Sequence, residues 1–174
     1  MDDIRIRPGA WADLDAIRAL YDRYILSGVA TFDLEPRSRE DRERWFARFA
    51  EQGAHRIFVA DHAARGVLGY ACSGPFKDKA AYDSSVEVSI YLEPSAQGRG
   101  LGGRLYGALF RALLATDLHR AYAGITRPNP ASVALHLRQG FRLAGSFREV
   151  GFKFGAYHDV DWYELELDRL RLEG

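Results

Sequence analysis

Residues 86–103 read VEVSIYLEPSAQGRGLGG, a strand-like run that ends at a proline and leads into a glycine-rich turn. Apolar and polar residues alternate in the first part, which predicts a strand over 86–94 that Pro94 ends. A long helix is predicted to follow, over residues 100–116. The unit is therefore a strand joined to a helix through several glycines.

The rest of the chain alternates strand and helix patterns in the same way. Ser38, with Asp41 three residues later, resembles a capping box and predicts a helix start there. Residues 28–37 are predicted to be a loop. The order implies a mixed α/β domain with helices on both faces of one central sheet. Further strands are predicted at 3–7, 57–61, 67–73, 121–126, 141–148 and 157–167, and further helices at 11–27 and from Asn129 to about Arg138.

Composition narrows the class of protein. The chain has 174 residues, which fits a single domain over 1–174. Its 24 Lys and Arg balance its 24 Asp and Glu, so the charge predicts no nucleic-acid partner. No segment approaches the roughly 20 apolar residues that cross a membrane, and no signal-peptide pattern is present. With Cys72 as the one cysteine, we expect a cytoplasmic protein without an internal disulfide.

The turn Gln97–Gly103 has the features of an anion site. Glycines allow positive φ and close backbone approach, and a helix N-terminus presents unpaired N–H groups. Together they suit a pyrophosphate, to which Arg99 adds a charged contact. The spacing fits neither a P-loop nor the dinucleotide fingerprint. On spacing alone, a tight turn without a ligand remains an equal alternative.

The glycine turn also resembles a known motif. Gln97, Gly100 and Gly102 form a Q-x-x-G-x-G pattern after a strand, which is similar to the coenzyme A pyrophosphate motif of the GNAT superfamily of N-acetyltransferases. Downstream, Asn129, Ser132 and the stretch LHLRQGF at 135–141 resemble the same family. The resemblance implies a mostly antiparallel, GNAT-like acyltransferase fold, with acetyl-CoA as cosubstrate.

Three further stretches resemble the phosphinothricin acetyltransferase branch of that superfamily. They are TFDLEP at 31–36, GPFKDKAAYDSSVEVSIYLEP at 74–94 and FKFGAYHDVDWYEL at 152–165. The match runs from about Ile4 to Leu167. It implies a small-molecule acceptor, the α-amino group of a glutamate- or glutamine-like compound such as phosphinothricin, methionine sulfoximine or its sulfone. It also implies a homodimer, and no metal is expected.

The resemblance assigns two catalytic residues. Glu87 matches the branch's catalytic glutamate, and partial burial in its strand is expected to raise its pKa toward that of a general base. Without the match, Glu87 would be an outward-facing charge on a strand. His136 matches a position that serves as an acid or assists the glutamate. The equal alternative for His136 is a packed helix histidine.

Cofactor contacts are also implied by the resemblance. Backbone amides near Ile90 and Leu92 are expected to pair with the pantetheine arm and to hold the oxyanion. Asn129 and Ser132 match coenzyme A contacts, although PNPAS is equally a helix cap. The complete expected set is Ile90, Leu92, Gln97, Gly98, Arg99, Gly100, Leu101, Gly102, Gly103, Asn129 and Ser132.

The acceptor pocket is expected to contain Phe32, Lys77, Lys79 and Tyr82. Lys79 stands where the branch usually has arginine, which weakens bidentate binding of an anionic group. A solvated basic loop is the alternative for both lysines. Other readings give the enzyme a polyamine, an aminoglycoside or a protein N-terminus as acceptor, or make the chain a non-catalytic acyl-CoA-binding module. An acyl-cysteine step at Cys72 is less simple than direct transfer from thioester to amine.

Overall fold

A computed structural model describes residues 3–168 and places them in one sheet with helices around it. The strands are β1 (Ile4–Pro8), β2 (Ile57–His62), β3 (Gly66–Pro75), β4 (Ser85–Leu92), β5 (Arg120–Thr126), β6 (Arg142–Lys153) and β7 (Ala156–Glu166). The α-helices are α1 (Leu14–Ser27), α2 (Arg39–Phe46), α3 (Leu101–Leu113) and α4 (Pro130–Arg138). None of these helices has the length and apolar character needed to cross a membrane.

The seven strands lie in the order β1-β2-β3-β4-β5-β7-β6. Every neighbouring pair is antiparallel except β4 and β5, which run parallel. The long connection through α3 makes this parallel pair possible, because parallel neighbours need a crossover. The predicted mixed, mostly antiparallel sheet is confirmed.

The pairing of β4 with β5 is short. It covers only Ser85, Val86 and Glu87 on β4, and the last pair joins Glu87 to Tyr122. Beyond this point β4 continues to Leu92 along β3, while β5 continues to Thr126 along β7. The two central strands therefore separate and leave a gap in the middle of the sheet.

The two faces of the sheet have different cores. Val86 and Val88 point to one face, where they pack in the core that contains Leu105 and Leu109 of α3. Tyr91, one of the residues that alternate with them, packs in the other core, with α1 and α2. Alternate side chains of β4 thus pack against α3 on one face and against α1 and α2 on the other. The prediction of helices on both faces of the sheet is confirmed.

Several element boundaries differ from the sequence expectation. A 3₁₀ turn at Trp11–Asp13 precedes α1, so the α-helix begins only at Leu14. The strand predicted at 141–148 continues to Lys153. Nearly all side chains of β6 are exposed, so burial imposes no clear alternation on its sequence. The helix starts at Ser38 and Asn129 are confirmed, because each side chain accepts a hydrogen bond from a first-turn N–H.

Candidate active site

A cleft with a volume of about 440 Å³ occupies the gap between β4 and β5. Residues 88–92 of β4 form one wall and residues 123–126 of β5 form the other. The edge of β4 that faces β5 is free of strand pairing beyond Glu87. An extended ligand can add to such an edge through main-chain hydrogen bonds. Ile90 and Leu92, both expected cofactor contacts, line the cleft.

The glycine turn closes one end of this cleft. Gly98 and Gly100 have φ values of +72° and +77°, a conformation that favours glycine. α3 then begins at Leu101, so its first N–H groups have no partner within the helix. Such a helix start fits the pyrophosphate of coenzyme A. Every residue of the expected turn set lines the cleft except Arg99, which is exposed.

Gly102 has a different role from the turn glycines because it lies inside α3. A Cβ atom at this position would lie 2.8 Å from Leu135 Cδ2 and 3.7 Å from Ile90 Cδ1. The missing side chain therefore lets α3 approach α4 at the cleft. Gly102 serves close packing, whereas Gly98 and Gly100 serve backbone conformation.

Gln97 joins three elements at the end of β4. Its Nε2 donates to Tyr24 Oη over 3.1 Å, and Tyr24 Oη donates to the carbonyl of Leu92 over 2.7 Å. Tyr24 also lines the cleft. The sequence analysis missed Tyr24, whose position in a helical apolar stripe indicates only packing. The bonds show that Tyr24 holds the end of β4 and the glycine turn together.

His136 is buried, with 3% of its surface exposed, and both ring nitrogens have partners. Nδ1 lies 2.8 Å from the Ser132 carbonyl, which can only accept, so Nδ1 carries the proton. In the neutral ring, Nε2 therefore accepts from the Tyr106 hydroxyl at 2.8 Å. Burial lowers the pKa of His136. His136 lines the cleft as a neutral histidine, bonded on both sides.

Asn129 caps α4, because its Oδ1 accepts from the backbone N–H of Ser132 over 3.1 Å. Both residues also line the cleft. The capping interpretation and the cofactor interpretation are therefore compatible, since the residues that form the cap also line the cleft.

Glu87 lies where the two central strands separate, half-buried on the face opposite α3. Desolvation by burial raises the pKa of its carboxyl group, and the positive charge of Lys77 opposes this shift. Cys72 lies on the neighbouring strand, where burial, followed by the Glu87 charge, raises the pKa of its thiol to about 12. A thiol with so high a pKa is a poor nucleophile. The raised thiol pKa therefore argues against an acyl-cysteine step at Cys72.

An aromatic cluster lies beside the exposed side chain of Lys77, near Glu87. Phe76 stacks on Tyr122 with ring centroids 4.4 Å apart and meets the edge of Trp162 at 5.8 Å. Tyr82, which is 44% exposed, lies 6.0 Å from Phe76. Lys77 Nζ lies 5.1 Å from the centre of the Phe76 ring.

The structure therefore places Lys77 near Glu87 and brings both Lys77 and Tyr82 to the Phe76 ring. The expected acceptor residue Lys79 is exposed and precedes the 3₁₀ turn that positions Tyr82. Phe76, Tyr122 and Trp162 were missed by the sequence analysis. Tyr122 lies on a strand that the sequence predicts, over 121–126. Its position opposite Glu87 depends on the register between β4 and β5, which is set only in the folded sheet.

The loop over residues 28–37 lies between the cleft and the β6–β7 hairpin. Ala30 lines the cleft, and the ring of the expected pocket residue Phe32 lies against Gly151 and 6.2 Å from the ring of His158. His158 Nε2 donates to the carbonyl of Lys153, and Asp159 accepts from the N–H of Glu149. Both hydrogen bonds order the β6–β7 hairpin.

Comparison with known proteins identifies the family. A model of the acetyltransferase (GNAT) domain matches residues 6–162. The chain belongs to the GNAT family of acetyltransferases. A phosphinothricin N-acetyltransferase of Streptomyces coelicolor is 49% identical over 95% of this chain and 97% of its own length. An L-methionine sulfoximine/L-methionine sulfone acetyltransferase of Pseudomonas paraeruginosa is 37% identical over 95% of this chain and 96% of its own.

A solved structure extends the comparison to the fold. The GNAT phosphinothricin acetyltransferase of Sinorhizobium meliloti, in complex with acetyl-CoA, superimposes with a TM-score of 0.88 at 33% identity. The match covers 94% of this chain and 88% of that one. The predicted family resemblance is thus confirmed across nearly the whole length of the chain.

Proposed function

We propose that this GNAT acetyltransferase transfers the acetyl group of acetyl-CoA to the α-amino group of a small amino acid analogue of the phosphinothricin, methionine sulfoximine or methionine sulfone type. One observation carries the proposal: pairing of β4 with β5 ends at Glu87, so a carboxylate of raised pKa lies where the cleft begins. The named activities of the similar proteins agree with this acceptor class. The described residues act as one N-acetyltransferase domain.

The donor is held by the cleft. The N-terminus of α3 takes the pyrophosphate, and the free edge of residues 88–92 pairs with the pantetheine arm. A backbone N–H near Ile90 polarises the thioester carbonyl and stabilises the oxyanion. Asn129 and Ser132 contact the coenzyme A from α4. Acetyl-CoA supplies the activated acetyl group.

Glu87 acts as general base. The acceptor ammonium loses a proton to the Glu87 carboxylate, and the free amine then forms a C–N bond with the acetyl carbon as the C–S bond breaks. The acylated nitrogen then loses a second proton to become the neutral amide, and the displaced thiolate takes up a proton to leave as the thiol. Because burial raises the pKa of Glu87, its carboxylate is a stronger proton acceptor than an exposed one.

His136 is the proposed group for protonating the thiolate or assisting Glu87. The bond from the Tyr106 hydroxyl to Nε2 must then break or relay a proton during turnover. Replacing His136 with phenylalanine tests this role, because an acid–base group leaves its mark on the pH–rate profile. An unchanged profile returns His136 to a packing role between α3 and α4.

The acceptor is held by Lys77, Lys79, Tyr82 and Phe32. Lys77 and Lys79 attract the anionic oxygens of the acceptor, and the exposed Tyr82 hydroxyl is available as a donor. Lysine is a point charge without the planar fork of arginine. We therefore expect lower affinity for the doubly anionic phosphinothricin than for the sulfoximine or sulfone.

The chain forms a homodimer in this proposal. The β6–β7 hairpin exposes more than half the surface of several large apolar side chains, a pattern typical of an interface. They are Phe147, Val150, Phe152, Phe154 and Tyr157. A second copy is the proposed cover. Sedimentation of the wild type and of Phe147→Lys tests it: a dimer that the charge dissociates supports the interface, and a monomeric wild type refutes it.

A thiol-release assay tests the activity. Acetyl-CoA is supplied with methionine sulfone, methionine sulfoximine, phosphinothricin, a polyamine and a peptide with a free N-terminus. We expect kcat/KM to be highest for the amino acid analogues. A higher value for the polyamine or the peptide would overturn the acceptor class, and coenzyme A binding without turnover would indicate a non-catalytic module.

A further inference from the structure

Thr31 lies in the loop over residues 28–37, between Ala30, which lines the cleft, and Phe32. Both the backbone and the side chain of Thr31 are bonded. Lys153 Nζ donates to its carbonyl over 2.8 Å, and Tyr21 Oη lies 2.7 Å from its Oγ1. The loop is therefore held by hydrogen bonds from the β6–β7 hairpin on one side and from α1 on the other.

On the α1 side, the hydrogen bonds form a closed ring. Asp33 accepts from Tyr21 Oη at 3.2 Å, because a carboxylate can only accept. The Thr31 hydroxyl then donates to Tyr21, and the Asp33 N–H donates to Thr31 Oγ1 over 3.2 Å. The ring fixes the backbone on either side of Phe32.

The hairpin side depends on a buried ammonium group. Lys153 is 3% exposed, and burial lowers its pKa, with Asp33 opposing the shift. A buried lysine is costly unless its donors are used. Nζ donates to the carbonyl of Thr31 and lies 5.1 Å from the centre of the Phe154 ring.

Gly151 provides space for Phe32 on the same hairpin. A Cβ atom at residue 151 would lie 2.2 Å from Phe32 Cζ and 2.4 Å from Cε1. Real Cβ atoms do not approach other carbon atoms so closely, so the aromatic ring occupies the volume that a side chain would need. The absence of a side chain at Gly151 sets the depth at which the Phe32 ring rests.

We propose that Lys153 and Gly151 are specificity-positioning residues, which fix Phe32 at the acceptor side of the cleft and so limit the size of the acceptor. The inference rests on the proposed function for the identity of the site. Neither residue touches the reacting atoms: Lys153 fixes the backbone before Phe32, and Gly151 fixes its ring. Both belong to the hairpin whose exposed face is the proposed dimer interface.

A double-mutant cycle between residues 151 and 32 tests the positioning. In Gly151→Ala the added methyl displaces the Phe32 ring, and we expect the ratio of kcat/KM for tryptophan over methionine sulfone to change by roughly tenfold or more, as one methylene does in a specific pocket. The KM for acetyl-CoA should stay unchanged. In a Phe32→Ala background the same glycine substitution should have little further effect.

Gly145→Ala is the matched control. It lies on the same strand, β6, and an added Cβ there meets no atom within 4 Å. We expect wild-type selectivity. If Gly151→Ala leaves the ratio unchanged, or changes it equally with and without Phe32, the assignment of Gly151 is overturned.

Lys153→Met tests the hydrogen bond to the Thr31 carbonyl, because it removes the donor but keeps a side chain of similar length. Amide hydrogen exchange over residues 28–37 should accelerate, and the KM for the acceptor should rise more than kcat falls. Unchanged exchange in a folded variant overturns the assignment of Lys153. Hydrogen exchange does not depend on which amine is acetylated. The role of Lys153 in fixing the loop can therefore stand even where the acceptor panel refutes the proposed function.

Discussion

Replacing Glu87 with glutamine removes the proposed base while preserving its shape. The amide occupies the same half-buried position beside Cys72 and Lys77, so loss of rate reports the loss of the proton acceptor. A positioned base contributes about 10²–10⁴-fold, which corresponds to about 3–5 kcal/mol at 1.36 kcal/mol per decade. The loss should shrink at high pH, where free amine forms without help.

The same variant should be more stable than the wild type at neutral pH. The folded-state pKa of Glu87 is raised by burial above its ordinary value of 4.5. The protonated Glu87 carboxyl group therefore contributes to the stability of the folded state. This contribution is fully present below the unfolded pKa and is lost as the pH rises through the folded pKa. Glutamine does not ionise, so the difference in Tm should appear above that interval and vanish at acid pH.

Two measurements test the role of Glu87 in catalysis and its effect on stability. Thiol release is followed from pH 6 to 9.5, and thermal unfolding is followed at acid and at neutral pH. Asp83→Asn is the control, because it removes the same charge from an exposed position near Tyr82. A Glu87→Gln enzyme with full rate at neutral pH refutes the general base, and an equal loss in Asp83→Asn attributes the effect to charge alone.

The structure supports three further predictions. Gly102→Val should weaken acetyl-CoA binding in calorimetric titration, since its first side-chain atom would lie 2.8 Å from Leu135 Cδ2; unchanged affinity in a folded protein contradicts this. Tyr106→Phe should cost about 1–3 kcal/mol in denaturant unfolding, because it leaves His136 Nε2 buried without a donor; unchanged stability contradicts that bond. Lys79→Arg should raise the affinity for phosphinothricin relative to methionine sulfone, since guanidinium binds two oxygens at once; an unchanged ratio excludes Lys79 from the pocket.

The sequence was most informative where local chemistry decides the structure. Ser38 and Asn129 mark helix starts because their side chains satisfy first-turn N–H groups, and the structure confirms both. The alternation in 86–94 predicts a strand, which the structure confirms as β4. The glycine turn has the positive φ values that its residues permit.

Other features depend on contacts between distant segments, which a local pattern does not encode. The bond from Lys153 to Thr31 joins residues 122 positions apart, and the aromatic ring of Tyr122 reaches Phe76 only because β5 lies beside β4. The length of β6 was underestimated because its exposed side chains leave no burial pattern to detect. These contacts and lengths become visible only in the folded chain.

One strand, β4, connects the two halves of the proposed reaction. Its pairing with β5 ends at Glu87, and from there its edge is free to receive a donor. The Glu87 side chain points to the face away from α3, where Lys77 and the aromatic cluster lie. The donor would therefore arrive along the edge of the strand and the acceptor over one face. A change in register of β4 by one residue would move Glu87 to the α3 core and abolish both catalysis and packing.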